Sequence, residues 1–376
     1  MSIDFNAIRA MAEQKREQRF GHQIEDPLEG LSDIAREQKV RDDRRDARKQ
    51  QRSAARTEVL VTQAKSLLAK AEEVAADAEA FYASQSYNSQ LRCRGGAIMV
   101  QLSDLHFGCT VKGLEERKDA NEYNLDVAAH RLATYAQQVI FYGVAHQAPE
   151  CVIALTGDIY DSKIGKERYD KMLNSETTAT QSYLRGRDLI FQFVEAIRRS
   201  EVFGSIRIVG ISGNEARLYA DRGHSHIMAS DNWDSLLNAD LASRYLGSDI
   251  EVEFGVNRYV AEVQGWRVLL LHGDQGIDSK LSQTKCQSVL GTHDADFGIS
   301  GHIHDTLVTG KWIRSASLVG TDFYAGDGLA LEGRACQNIF WLAEGQRNTY
   351  AVDLQTPDPA VEPFKMFDYK GAFGVA

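Results

Sequence analysis

The chain has 376 residues, 43% hydrophobic and 26% charged, with a formal net charge of -10, which fits a globular protein with one large domain and an appendage or with two modest domains. So acidic a chain is no general polyanion binder, and any nucleic-acid contact has to come from a local basic patch. Cys93, Cys109, Cys151, Cys286 and Cys336 form no CxxC pair, which argues against a disulfide framework and a zinc ribbon and suits a reducing compartment.

The N-terminal stretch MSIDFNAIRAMAEQKREQRF is charged and lacks an apolar core. No run reaches the ~20 apolar residues of a membrane span, so a cytoplasmic protein without a membrane partner is expected. Residues 1–57 read as a charged arm, helical or disordered. Within Arg36–Arg56 nine basic residues face four acidic ones. Such a run is either a solvated helix or an arm that grips nucleic acid or a partner, because Lys and Arg neutralise phosphates without regard to sequence. Residues 58–83 are rich in Ala, Leu, Glu and Lys, and Leu60, Leu67, Ala71, Val74 and Ala78 recur near the helical period. That predicts an amphipathic helix, suited to packing on the main domain or to pairing two chains as a homodimer. A linker through residue 95 follows, then a catalytic domain over 96–356 and a tail over 357–376.

Beyond residue 97, short β-branched runs alternate with helical segments, predicted over Asn124–His146 and Leu184–Arg199, which indicates an α/β core. Glu251–Asp353 reads mostly as strands, so the sheet is expected to become mixed or to split into two. Each buried run then delivers a metal-ligand type to the loop after it. AIMVQL leads to Asp104 and His106, CVIALT to Asp158 and Asp161, IRIVGIS to Asn214, WRVLLL to His272, and DFGIS to His302 and His304. This is the edge where open α/β sheets build their sites. Carboxylate and carboxamide oxygens with imidazole nitrogens suit first-row divalent metals. On an extended segment an Asp-x-His or His-x-His would turn both side chains to one face. Glycines at 157, 213, 273 and 301 allow sharp turns beside the ligands. Each motif alone is weak, but five in order, each closing a strand, are not coincidence.

The ordered set DxH, GDxxD, GN, HGD, GHxH resembles the calcineurin-like metallophosphoesterase family over roughly residues 97–355. The resemblance implies a two-sheet α/β sandwich flanked by helices, here preceded by a charged helical extension. It implies two divalent ions, manganese first with iron, zinc or nickel as alternatives, and attack of a metal-bound hydroxide on phosphorus. By motif, Asp104, His106 and His304 would hold one metal, Asn214, His272 and His302 the other, and Asp158 would bridge them. Asp161 would orient a ligand or a water, or else cap a turn.

One departure stands out. Family members usually carry a histidine after the asparagine of the third motif, commonly the acid that protonates the leaving oxygen. Glu215 occupies that place here. Glu215 is itself one candidate for the acid, although two adjacent cations would lower its pKa. Alternatively His224 or His226 folds back as donor, or no acid is used. Arg217, in a GNEAR resembling the GNHGR of bacteriophage-type members, is a candidate phosphate clamp or else a surface ion pair. The basic run, the pairs Arg185/Arg187 and Arg217/Arg222 and the phage-like third motif favour a nuclease on DNA or RNA, similar to the repair-type branch. A phosphomonoesterase or small-nucleotide hydrolase is the alternative, and a non-catalytic metal-binding scaffold is the third reading. Whether the loops Ser162–Thr180 and Asp221–Asp231 close a pocket or leave a groove separates the first two.

Overall fold

The computed structural model describes residues 33–84, 95–112, 121–161, 175, 177–218, 229–275, 277, 282–321 and 333–367. By its internal contacts the chain divides into two units, Met1–Leu91 and Arg92–Ala376.

The first unit contributes one helix, α1, over Asp33–Ser84. The helix runs without interruption through residue 57, where the charged arm and the amphipathic segment meet. No Gly or Pro falls in the segment, and its Ala, Arg, Lys, Gln and Glu are all good helix formers, so nothing stops propagation. Described side chains of the basic stretch are exposed from Arg41 to Arg56.

The second unit is α/β with two sheets. Its strands are β1 (Ala97–Leu102), β2 (Glu150–Leu155), β3 (Ser205–Gly210) and β4 (Ile250–Phe254), then β5 (Arg258–Val263), β6 (Trp266–Leu271), β7 (Phe297–Ser300), β8 (Leu307–Val308), β9 (Trp312–Arg314), β10 (Cys336–Ala343) and β11 (Gln346–Asp353). One sheet has the order β11-β10-β1-β2-β3-β4 and the other β5-β6-β7-β9-β8. β1 to β4 are mutually parallel, β10 runs antiparallel to β1, and β6, β7 and β9 are parallel in the second sheet.

Strand alternation builds the layers. Met99, Val152, Ala154 and Val209 of the first sheet pack against Val268, Leu270, Ile299 and Ile313 of the second. The intervening Ile98, Val100, Ile153 and Ile208 belong to the core shared with the helices on the far side. Those are α2 (Leu125–His146), α3 (Ala179–Arg199) and α4 (Trp233–Arg244), while α5 (Gln283–His293) covers the outer face of the second sheet through Cys286 and Leu290. The starts of α2 to α5 are capped. Asn124 caps α2, Asn232 caps α4, Ser282 caps α5, and Thr178 forms a capping box with Gln181 on α3. α3 begins five residues before its expected start, at Ala179, because the capping box sets it there. The two-sheet sandwich flanked by helices thus agrees with the expected fold class. All parallel strands end at one edge, which collects their loops. Among the described residues no helix is long and apolar enough to cross a membrane.

Candidate metal centre

The loop after β1 is bonded to the loop after β2 by backbone alone. Asp104 N–H donates to Gly157 O at 3.0 Å, His106 N–H to Asp158 O at 3.0 Å, and Phe107 N–H to Ile159 O at 2.9 Å. The expectation that Asp104 and His106 converge through extended alternation fails, and so does its counterpart at His302 and His304. Asp104 (φ 51°), His106 (φ 47°), Asp158 (φ 53°), His302 (φ 73°) and His304 (φ 60°) all occupy the left-handed region. β1 stops at Leu102 and β7 at Ser300, so the ligands lie on tightly curled loops past the strands. Left-handed backbone is uncommon for residues with a Cβ and costs free energy. A run of such residues persists only where surrounding contacts hold it.

Two groups of ligand atoms result. Asp104, His106 and His304 form one; Asp158, His272 and His302 form the other, and within each group the ligand atoms lie within 4.8 Å of one another. In the first, His304 Nε2 is 3.3 Å and His106 Nε2 3.8 Å from Asp104 Oδ1, and the two imidazole Nε2 atoms face each other at 3.0 Å. In the second, His272 Nε2 is 2.9 Å from Asp158 Oδ2 and 3.0 Å from Asn214 Oδ1. All seven motif residues therefore converge. Asp158 lies in the second group, and its proposed bridging role rests on the resemblance.

The hydrogen bonds identify which atoms are presented. His272 Nδ1 is 2.9 Å from the Thr156 carbonyl oxygen, which can only accept, so the proton resides on Nδ1. The lone pair of Nε2 then points at two further acceptors, Asp158 Oδ2 and Asn214 Oδ1. Acceptors facing acceptors in a buried place need either a second proton on the ring or a cation among them. Without a cation the proton is favoured. Burial works against charging His272, but Asp158 outweighs it and raises the pKa to about 10. Likewise burial opposes a charge on His106, while Asp161, Asp158 and Asp104 together push it up to about 9. Burial would raise both carboxylates, yet bonding to His304 brings Asp104 below its ordinary value, and the His272 charge does the same for Asp158. His302 is held below the ordinary imidazole value by burial and by the neighbouring His272 charge. Nitrogen and oxygen donors of this mix, with carboxylates fully buried, fit divalent first-row cations at both places. Among the described residues no cysteine joins either group.

Supporting residues fix the ligands. Ser103 Oγ donates to Asp104 Oδ2 at 2.6 Å, and the backbone N–H of His302 reaches both carboxylate oxygens at 3.1 and 3.0 Å. Gln337 on β10 clamps the chain beneath. Its Oε1 accepts from Ser103 N–H, and its Nε2 donates to the Ser103, Ala316 and Cys336 carbonyls. Gly213 and Gly301 admit no side chain. A Cβ on Gly301 would overlap the Asp104 carboxylate and the Ser103 hydroxyl, and one on Gly213 would overlap Asp158. Asp161 Oδ1 is 3.7 Å from His106 Nδ1, which leaves Nε2 for the metal group.

Asp234, at the start of α4, is a site residue that sequence reasoning missed. Its Oδ2 accepts the N–H of Asp158 and of Gly213, both at 2.9 Å, and its Oδ1 accepts that of Ile159 at 3.2 Å. One buried carboxylate thus pins the second and third motifs together. Burial and the Asp158 charge raise its pKa to about 7. The sequence carries only the signal of a helix start in Asn232-Trp233-Asp234; the partners lie 76, 75 and 21 residues away.

The remaining candidates divide. Glu215 is half-buried beside the second group, with its N–H donating to Asp158 Oδ1 at 2.7 Å and its Oε1 accepting from Asn214 Nδ2 at 3.2 Å. Arg217 forms an ion pair with Asp274 at 2.6 Å, and the two side chains are 9% and 10% exposed. It is thus in a buried ion pair, where the sequence offered a phosphate clamp or a surface pair. Arg187 pairs with Asp188 and Asp240, so it is not an open cationic patch. His224, His226 and Arg222, together with most of the loops that would open or close the site, lie outside the described residues.

Fold and site define a class: a two-sheet α/β sandwich whose one edge gathers two Asp/Asn/His groups, each fit for a divalent cation. No protein-family model and no curated protein matches the chain. Among solved structures it is similar to wild-type Vps29 complexed with zinc from Entamoeba histolytica, at 14% identity and a TM-score of 0.27, over 68% of this chain and 99% of that one. It is similar to a conserved uncharacterised protein, a predicted phosphoesterase, from Streptococcus pneumoniae TIGR4, at 10% identity and a TM-score of 0.30, over 70% and 94%. A third likeness is to a cold-active protein-tyrosine phosphatase of a psychrophilic Shewanella, at 13% identity and a TM-score of 0.28, over 68% and 80%.

Proposed function

We propose that this chain is a metal-dependent phosphoesterase that uses two divalent cations, with nucleic-acid phosphodiesters as its substrate class. The observation that carries the reading is the convergence of Asp104, His106 and His304 with Asp158, Asn214, His272 and His302 into two adjoining groups. Asp104, His106 and His304 would hold one cation and Asp158, Asn214, His272 and His302 the other, and when bound the pair would supply Lewis acidity toward phosphate oxygens and activate water.

The chain's own residues hold that arrangement rigid. Thr156 fixes the His272 ring, Asp161 faces His106, and Ser103 with the His302 N–H occupies the Asp104 oxygens. The left-handed loops are locked by the backbone bonds between motifs. Preorganisation of this kind is what a phosphoryl-transfer site requires, since positioning and charge supply most of the catalysis.

The choice of a nucleic-acid diester is supported by α1. Arg41, Arg44, Arg45, Arg48, Lys49 and Arg52 lie close together on the exposed surface of the helix. They follow the three- and four-residue spacing of a single helix face about 16 Å long. Intrahelical ion pairs from Arg41 to Glu37 and from Lys49 to Asp46, both at 3.8 Å and well exposed, are weak competitors for phosphate. The reading is tested by Mn²⁺-dependent hydrolysis of bis-p-nitrophenyl phosphate against p-nitrophenyl phosphate, beside labelled single- and double-stranded DNA. Cleavage of the diester and of DNA is expected. Monoester cleavage alone would replace the nuclease with a phosphatase, and inactivity with both cations bound would favour the scaffold reading that Glu215 raises.

A further inference from the structure

An asparagine that ligates a cation has to present its oxygen, yet its two ends are nearly the same size. A carboxamide turned by half a rotation would aim two N–H donors at the cation and forfeit the ligand. What decides the orientation is the partner of the other end. At Asn214 the oxygen lies 3.0 Å from His272 Nε2, and the amide nitrogen lies 3.2 Å from Glu215 Oε1. A carboxylate oxygen accepts a hydrogen bond, so it selects the NH₂ end.

The surrounding backbone leaves this torsion as the free variable. Gly213 N–H is held by Asp234 at 2.9 Å, Gly213 O accepts from Asn232 Nδ2 at 2.9 Å, and Glu215 N–H is held by Asp158 at 2.7 Å. Residues on both sides of Asn214 are thus pinned, and its side chain alone has two ways to point. We propose that Glu215 is a positioning residue whose carboxylate fixes the Asn214 carboxamide with its oxygen toward the second metal group. The inference rests on the two-cation reading. It gives Glu215 a task that needs no proton transfer, and it accounts for a carboxylate beside a ligand that is itself uncharged.

The test is isothermal titration calorimetry of the metal-free full chain with Mn²⁺, on wild type, Glu215→Gln, Glu215→Ala and Asn214→Ala, with thermal unfolding to check that each variant is folded. The wild type is expected to take up two ions. Glu215→Ala is expected to weaken one of them by about 10–100-fold, as loss of a ligand's hydrogen-bond partner does, and to leave the other unchanged. Asn214→Ala should weaken the same ion. Glu215→Gln keeps an acceptor oxygen at that distance and should stay within about threefold of wild type, the size of change that a retained hydrogen bond allows. Two ions in the wild type with Glu215→Ala unaltered would overturn this inference alone. Glu215→Gln as weak as Glu215→Ala would overturn it too, because charge rather than orientation would then be the cause. A wild-type chain that binds fewer than two ions would overturn the two-cation reading and this inference with it.

Discussion

The Asp104 carboxylate accepts the backbone N–H of His302 with both oxygens, at 3.1 and 3.0 Å. A ligand of the first metal group therefore sets the backbone that carries a ligand of the second, 198 residues further along. Gly301 makes this approach feasible, since a side chain there would collide with the same carboxylate and with Ser103. Gly301→Ala is expected to displace Asp104, lower first-site Mn²⁺ affinity at least about tenfold and destabilise the metal-free protein by about 1–3 kcal/mol. Calorimetry and urea unfolding measure the two effects, and a variant equal to wild type in both would remove Gly301 from the account.

Among the described residues Asp234 hydrogen-bonds to no ligand side chain and yet holds the N–H groups of Asp158, Ile159 and Gly213. Asp234→Ala leaves three buried donors without their acceptor, each costing about 1–3 kcal/mol, so a loss of about 3 kcal/mol or more is expected by urea unfolding. Metal affinity at the second group should fall with it. A loss below about 1 kcal/mol, less than one unmade bond, would mean that water replaces the carboxylate.

Proton linkage follows from the imidazoles. His106 and His272 are raised to about 9 and about 10 by the carboxylates around them. A histidine raised on folding contributes stability that is fully present below its unfolded value of about 6.5 and is lost as pH climbs through the folded value. Metal-free protein should accordingly lose stability between about pH 6.5 and 10. Metal requires the deprotonated rings, so Mn²⁺ affinity should climb over the same interval with release of protons. Titration calorimetry in buffers of different ionisation enthalpy measures that release, and affinity independent of pH from 6.5 to 9 would refute the linkage.

The cationic face of α1 gives a prediction separate from catalysis. Asp158→Ala full-length protein, unable to cleave, is expected to bind DNA with an affinity that falls linearly in the logarithm of salt concentration. Replacing Arg41, Arg44, Arg48 and Arg52 with Gln should weaken every sequence alike and reduce the slope by about 3–4, at about 0.9 for each phosphate no longer neutralised. An unchanged slope would leave the helix a solvated face, and a change in oligomeric state instead would make it a contact between two copies of the chain.

Much of this site is legible in the sequence because apolar strands with four to six buried residues stand out from their surroundings and end abruptly. Leu102, Leu155 and Leu271 each close a strand just before a ligand loop. The backbone at those loops is not legible. Period-two alternation ceases where the strand does, and the left-handed angles of Asp104, His106, His302 and His304 depend on bonds to loops far away in sequence. The same remoteness hides Asp234, whose short-range surroundings read only as a helix cap. It hides the pairing of Arg217 with Asp274 as well, since they lie 57 residues apart.

The most direct test of the central claim is anomalous diffraction at the manganese edge from crystals of the full chain grown with Mn²⁺. Two peaks are expected, one among Asp104, His106 and His304 and one among Asp158, Asn214, His272 and His302. A single peak, or none at these residues under saturating metal, would contradict the two-cation centre on which the proposed phosphoesterase chemistry stands.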